Sequence, residues 1–395
     1  MTYSFDQIIE RHGTDSLKYD FAVRRKKPEG ILPLWVADMD FKAPPEVLSA
    51  LNDEISHGIF GYSDTAGNDY FCALSNWYGE RFGWQLSPEW LIKTPGVVFA
   101  LCAAIRAFTH PGEAVLIQQP VYYPFSESVC QNGRTLVVNE LTYNDGKYSI
   151  DLADFENKIA QNGVKLFILC SPHNPIGRVW TADELIAMGN ICLKHGVLIV
   201  SDEIHADFVY PGRQHLVFAG LKPEFADMTV TCTAPTKTFN LAGLQISNIL
   251  ISNPDRRRRF RQEVHRAGYS QPNLMGLVAC RAAYEHGASW LAELKAYLTE
   301  NLAFVRSFLA EQLPQIRLVE PEGSYLIWFD CRALGISDTE LDQLIVDRAG
   351  LWLDGGRMFG AGGEGFQRIN IACPRQTLQE AMKRLKCAVD GLAWL

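Results

Sequence analysis

The chain has no surplus of positive charge: 37 lysines and arginines face 45 aspartates and glutamates over 395 residues, a formal net charge of −8. Such a balance repels phosphate backbones and anionic lipid surfaces, so neither nucleic acid nor membrane is an expected partner. No apolar run approaches the length of a membrane span, and the opening MTYSFDQIIERHG lacks a basic region followed by an apolar core. Ten cysteines occur, but with no CxxC pair and no regular spacing. Those around Cys170, Cys192 and Cys280 lie in apolar segments, the habit of reduced, buried thiols, and no metal site is expected. Internal repeats and low-complexity tracts are missing too. These absences exclude disulfide scaffolds and disordered linkers, and lead to the expectation of a cytoplasmic globular protein.

What is present is ample apolar material, 47% of the chain, enough for a large core in two or three domains. Short apolar runs alternate with helical patterns, the signature of βαβ units around a parallel sheet. Candidate strands are Ala114–Gln118, Thr135–Val138, Lys165–Cys170, Val197–Ser201, Thr229–Cys232 and Ile246–Ile251. Thr181 and Glu184 form a capping box that starts a helix running to Lys194. Beyond about residue 285 the pattern changes to a long amphipathic stretch, Ser289–Gln312, then Leu326–Asp330, a helix over Asp338–Arg348 and a last helix from Gln376. The chain thus divides into a segment 1–47 packing on the smaller domain, a large domain 48–285, and a smaller α+β domain 286–395. The arginine run Arg256–Arg259 with Arg261 follows Ser252, Asn253 and Pro254, a cap and first turn, and reads as a solvated helix face.

Candidate chemistry gathers where strands end, the place where open α/β sheets put their ligands. In TAPTKTFNLAG, Lys237 sits among small, hydroxylic and apolar residues that give it no polar face on which to solvate. Desolvation lowers a lysine pKa and makes the amine a nucleophile toward aldehydes. The run ending at Cys170 leads into SPHNPIG with Asn174, and the one ending at Ser201 leads into Asp202. An amine for an aldehyde, a carboxylate for a ring nitrogen and a donor for a phenolic oxygen are what a pyridine aldehyde cofactor such as pyridoxal phosphate needs. Singly, Lys237 also reads as a lysine snorkelling from a loop beside a core strand, Asp202 as a helix cap and Asn174 as a turn residue. Pro95 and Gly96 precede the helical pattern Val97–Phe108, whose first N–H groups suit an anion.

SPHNPIG, SDEIH and PTKTFNLAG, in this order, resemble the fold type I pyridoxal-phosphate enzymes related to aspartate aminotransferase. TDSLKYD with LPLWVADMDF, and HGIFGYS, narrow the likeness to cystathionine β-lyases of the MalY/PatB type, the C–S lyases. The resemblance implies a large domain with a mixed, mostly parallel central sheet plus a smaller α+β domain, and a homodimer with active sites at the interface. It implies that Lys237 carries pyridoxal 5′-phosphate, that Asp202 pairs with the ring nitrogen and that Asn174 donates to the phenolic oxygen. Tyr122 would stack on the ring, and Tyr123 beside it would face the substrate. Thr236 and the N–H groups of Val97 and Val98 would hold the phosphate, with Tyr62 reaching across from a second subunit. Arg368 would grip the substrate carboxylate, its planar fork suiting that ion; a surface salt bridge is its plain alternative.

The sequence departs from the wider aminotransferase pattern twice. Gln245 stands where an arginine, eight positions after the lysine, commonly binds phosphate. His205 stands where a tyrosine, three positions after the aspartate, is common; an imidazole there can donate to the phenolic oxygen and titrates near neutrality. The resemblance implies α,β-elimination from cystathionine or related β-thio amino acids, giving a thiol, pyruvate and ammonia, within methionine biosynthesis. Transamination begins with the same loss of the Cα proton, and these residues do not choose between the two fates. A cofactor-binding regulator is a third reading, but no basic helix-turn-helix pattern precedes the core.

Overall fold

The computed structural model describes residues 3–63 and 68–394. Among them, a seven-stranded sheet contains β1 Leu91–Thr94, β2 Ala114–Gln119, β3 Thr135–Glu140, β4 Leu166–Cys170, β5 Leu198–Asp202, β6 Thr229–Thr233 and β7 Ser247–Leu250, in the order β1-β7-β6-β5-β4-β2-β3. The run from β6 through β5, β4 and β2 to β3 is parallel. The sheet is nevertheless mixed, because β7 runs antiparallel to both β6 and β1. All six candidate strands form, within two residues at each end. The edge strand β1 escapes detection because LIKT is short and carries a lysine.

Central strands read as unbroken apolar runs because both faces of the sheet are covered. Leu166, Ile168 and Cys170 of β4 belong to one buried cluster and Phe167 and Leu169 to another, so alternate side chains enter opposite layers. The covering helices begin and end where their residue types dictate. Thr181 accepts from the Glu184 N–H and the Glu184 carboxylate accepts from the Thr181 N–H, opening the helix Ala182–His195, which Gly196 closes in the left-handed region. Asn253 caps Pro254–Arg266 by accepting from Asp255 and Arg256 N–H groups. The arginines of that helix are more engaged than a solvated face requires. Arg257 donates to the carbonyls of Ile251 and Ser252, Arg259 to Ala107, and Arg261 to Glu89 and Leu91, which ties the helix to neighbouring backbone.

A second, antiparallel sheet comprises β8 Arg317–Val319, β9 Leu326–Asp330, β10 Asp354–Gly355 and β11 Phe366–Asn370, ordered β8-β9-β11-β10. The long helix Ala288–Gln312 and the final helix Arg375–Asp390 accompany it. Leu32 and Pro33 pair in parallel with Leu351 and Trp352, so the N-terminal segment is stitched to this half of the molecule. One apolar cluster runs through Phe5, Leu34, Trp77, Leu291, Leu326 and Leu378.

The glycine-rich stretch around Gly356 to Gly365 owes its composition to close backbone approach. A Cβ on Gly356 would overlap the carbonyl of Gly363, and one on Gly363 would overlap that of Gly356. Gly356→Ala is therefore expected to destabilise the protein by about 1–3 kcal/mol, as overpacking does. Gly391→Ala, where a Cβ meets nothing within 4 Å, serves as the near-neutral control. Chemical denaturation of the two variants checks this, and equal midpoints would contradict it.

Candidate active site

Three adjacent parallel strands end at one edge of the large sheet: Cys170 of β4 lies opposite Asp202 of β5, which lies opposite Cys232 of β6. The segments that leave these strands therefore start at one level. Asn174, Asp202 and Lys237 are brought to a single cavity of about 400 Å3, which Tyr122, His205, Val97, Val98 and Gln245 also line. Of the other expected residues, Thr236 is buried next to Lys237 at the start of a short helix. Arg368 joins the site through Asn174. Tyr123 lines a neighbouring cavity of about 280 Å3 together with Trp35 and Asp354. Tyr62 does not line the cavity; it is 94% exposed.

Electrostatics set the two reactive groups apart from ordinary side chains. The Lys237 amine donates to the carbonyl of Ala37 at 2.7 Å. Burial lowers its pKa from 10.5 to about 8; Asp38 and Asp202 oppose this and Arg368 adds to it. Asp202 is buried, and its Oδ1 accepts from the Ile204 N–H at 3.1 Å. It forms no ion pair among the described residues, and burial raises its carboxyl from 3.8 to about 7. His205 does not behave as the sequence suggests. Burial, followed by repulsion from Lys237 and Arg368, pushes it down to about 3, so the ring is neutral throughout the physiological range. Its Nδ1 lies 3.5 Å from Ser324 Oγ.

Arg368 is no surface salt bridge. It is buried on β11 between Trp328 of β9 and Asp354 of β10. Its guanidinium pairs with Asp354, donates to Asn174 Oδ1 at 2.9 Å and to the Trp35 carbonyl at 3.0 Å, and covers the Phe359 ring. The Nε–H is buried with no partner among the described residues. With Asn174 Oδ1 committed to Arg368, the amide NH2 is the part left to donate.

Sequence reasoning missed several contributors. The carbonyls of Ala37 and Trp35 carry no residue-type signal, although both lie in the LPLWVADMDF segment. Asp354 becomes a partner of Arg368 only through strand pairing, and Tyr325 shares the Ala37 carbonyl with Lys237 at 3.0 Å. Phe99 supplies a third N–H in the first turn of Val97–Phe108, where amides have no partner within the helix.

The residues fit pyridoxal phosphate on grounds internal to the site. A buried carboxylate without an ion-pair partner calls for a cation beside it, which a protonated ring nitrogen is. The first-turn amides accommodate an anion, and the amine is tuned for an aldehyde. Among the described residues lining the cavity there is no arginine, so its helix-start amides are what it offers an anion.

Fold and site define a class: the chain belongs to the aminotransferase class I and II family, whose model matches residues 29–385. Within it, the chain is 44% identical over 389 residues to cystathionine beta-lyase PatB of Bacillus subtilis, covering 98% of this chain and 100% of that one. It is 31% identical to protein MalY of Escherichia coli, covering 99% of this chain and 100% of MalY. Among solved structures, cystalysin from Treponema denticola, which contains a pyridoxal 5′-phosphate cofactor, matches with a TM-score of 0.95 and 38% identity over 99% of this chain and 100% of that one. The PLP-bound C–S lyase from Staphylococcus hominis matches with a TM-score of 0.92 and 32% identity over 98% of both chains.

Proposed function

We propose that this chain is a pyridoxal-phosphate-dependent carbon–sulfur lyase of the cystathionine β-lyase type. It converts L-cystathionine or a related β-thio amino acid, with water, to a thiol, pyruvate and ammonia. The observation that carries this reading is the meeting of a desolvated amine, Lys237, with a buried carboxylate that has no ion pair among the described residues, Asp202, in one cavity of a chain that aligns end to end with PatB.

Pyridoxal phosphate supplies an aldehyde that takes up amines and a cationic ring that draws electrons from the substrate's Cα. Lys237 would hold that aldehyde and would serve as the base for the Cα proton; the Ala37 carbonyl, 2.7 Å from its amine, orients it. Asp202 keeps the ring nitrogen protonated by charge attraction in a dry site. Asn174 donates to the phenolic oxygen, with neutral His205 beside it. Tyr122 covers the ring face, while Val97 and Val98 N–H groups and the Thr236 hydroxyl hold the phosphate. Arg368 receives the substrate carboxylate, with Tyr123 facing the substrate.

The same reading makes the protein a cytoplasmic homodimer in methionine biosynthesis, divided at residues 47 and 285. Tyr62 serves the phosphate of the second subunit. Its 94% exposure, with Ile59 at 67% and Phe60 at 61%, supports a covered apolar strip.

Because only the neutral amine attacks an aldehyde, capture of pyridoxal phosphate by the apoprotein is expected to quicken about tenfold from pH 7 to 9 and then level off, following an amine pKa of about 8. Stopped-flow absorbance checks this; a rate that keeps climbing beyond pH 10 would mean an ordinary, solvated lysine. The function itself is tested by incubating the pure holoenzyme with cystathionine. Pyruvate and free thiol appearing in equal amounts is the expected outcome. Amino transfer to an added keto acid without pyruvate would make the protein an aminotransferase.

A further inference from the structure

Behind the wall that carries His205 lies a second cavity, of about 380 Å3, which shares no lining residue with the first. Its size falls in the range of small-molecule sites. Apolar walls come from Phe208, Val209 and Pro211, shortly after β5, and from Leu298 on the helix Ala288–Gln312. The enclosure is held by backbone pairing. Val209 bridges Gly323, the Tyr210 N–H donates to the Glu322 carbonyl at 3.0 Å, and the Ser324 N–H donates to that of Phe208 at 2.8 Å.

One cationic group lining this cavity is unspent. Lys295 forms no ion pair among the described residues, whereas the neighbouring cations are committed: Arg213 to Glu322 at 2.6 Å, Arg81 to Asp207 at 2.7 Å, and Arg306 to Glu320. Burial, then repulsion from Arg81, lowers the Lys295 amine against an opposing pull from Asp207, so a further anion beside it relieves the remaining penalty.

We propose that this cavity binds a small organic carboxylate, its apolar body against Phe208, Val209, Pro211 and Leu298 and its carboxylate on the Lys295 amine. Hydrophobic walls with a few converging polar groups are the make-up of a ligand site. Ser324 lines the cavity and approaches His205, so an occupant sits one side chain away from the catalytic pocket.

The test is calorimetric titration of the holoenzyme with 3-phenylpropionate, alongside the neutral 3-phenylpropanamide, for wild type, Val209→Trp and Lys295→Met. Wild type is expected to bind the carboxylate at one site per chain with a Kd of about 1 mM or tighter. Val209→Trp fills the cavity and Lys295→Met removes the cation. Each is expected to weaken binding at least about tenfold, as does exchanging carboxylate for amide in wild type. Both variants should keep their turnover of cystathionine, since neither residue lines the catalytic cavity. Equal affinity in wild type and Lys295→Met, or in wild type and a folded Val209→Trp, would place the probe elsewhere and overturn the proposal. Absence of binding up to about 10 mM would overturn it as well.

Discussion

Lys237→Ala is expected to lower turnover of cystathionine by at least about 10³-fold, because the variant loses both the anchor for the aldehyde and the base at Cα. The loss should lie in kcat, and the variant should fold. Its stability supplies an independent check whose sign is set by the pKa. The folded apoprotein holds Lys237 at about 8 against an ordinary 10.5, so it binds the proton less well than the unfolded chain does. The wild-type amine therefore costs stability fully below about pH 8, and this cost fades as pH rises toward 10.5. Apo Lys237→Ala should accordingly melt at or above the wild-type temperature at neutral pH, and the difference should vanish near pH 10.5. Wild-type turnover by the variant, or a melting temperature well below wild type at pH 7, would contradict this.

Asp202→Asn is expected to reduce kcat about 10²–10³-fold with a much smaller change in KM, the size of effect seen when one preorganised electrostatic partner of a transition state is removed. An amide fills the same space but carries no charge to keep a ring nitrogen protonated. The apoprotein again gives an opposite sign for stability. Burial raises the Asp202 carboxyl from 3.8 to about 7, so its charge is a cost that sets in above pH 3.8 and is complete above about pH 7. The Asn variant should be the more stable apoprotein at pH 8 and lose that advantage on acidification through this window. A variant with wild-type kcat would remove Asp202 from the chemistry.

Both residues were legible in the sequence for a physical reason. Each comes after an apolar run that could only be a buried strand, and each is a polar group of a type seldom placed there without a task. Their convergence also stems from the chain order, since consecutive parallel strands end at one edge of the sheet. Asn174 was readable on the same grounds. The rest was hidden because its signal does not reside in residue types. Ala37 and Trp35 act through backbone carbonyls, which every residue possesses. Asp354 meets Arg368 across two strands that are far from obvious as neighbours, β10 being two residues long. The neutrality of His205 depends on what surrounds it, namely burial, Lys237 and Arg368, none of which its neighbours in the chain announce. In the fold, strand boundaries held to within two residues because the apolar runs are sharply bounded. The reversal of β7 was not visible, since an antiparallel strand buried on both faces has the same composition as a parallel one.

The central claim concerns one amine, and borohydride reduction of the holoprotein followed by proteolysis and peptide mass mapping tests it most directly. A pyridoxyl phosphate mass confined to Lys237, and lost in Lys237→Ala, is the expected result. A label on another lysine, or none on a protein that still turns over cystathionine, would contradict it.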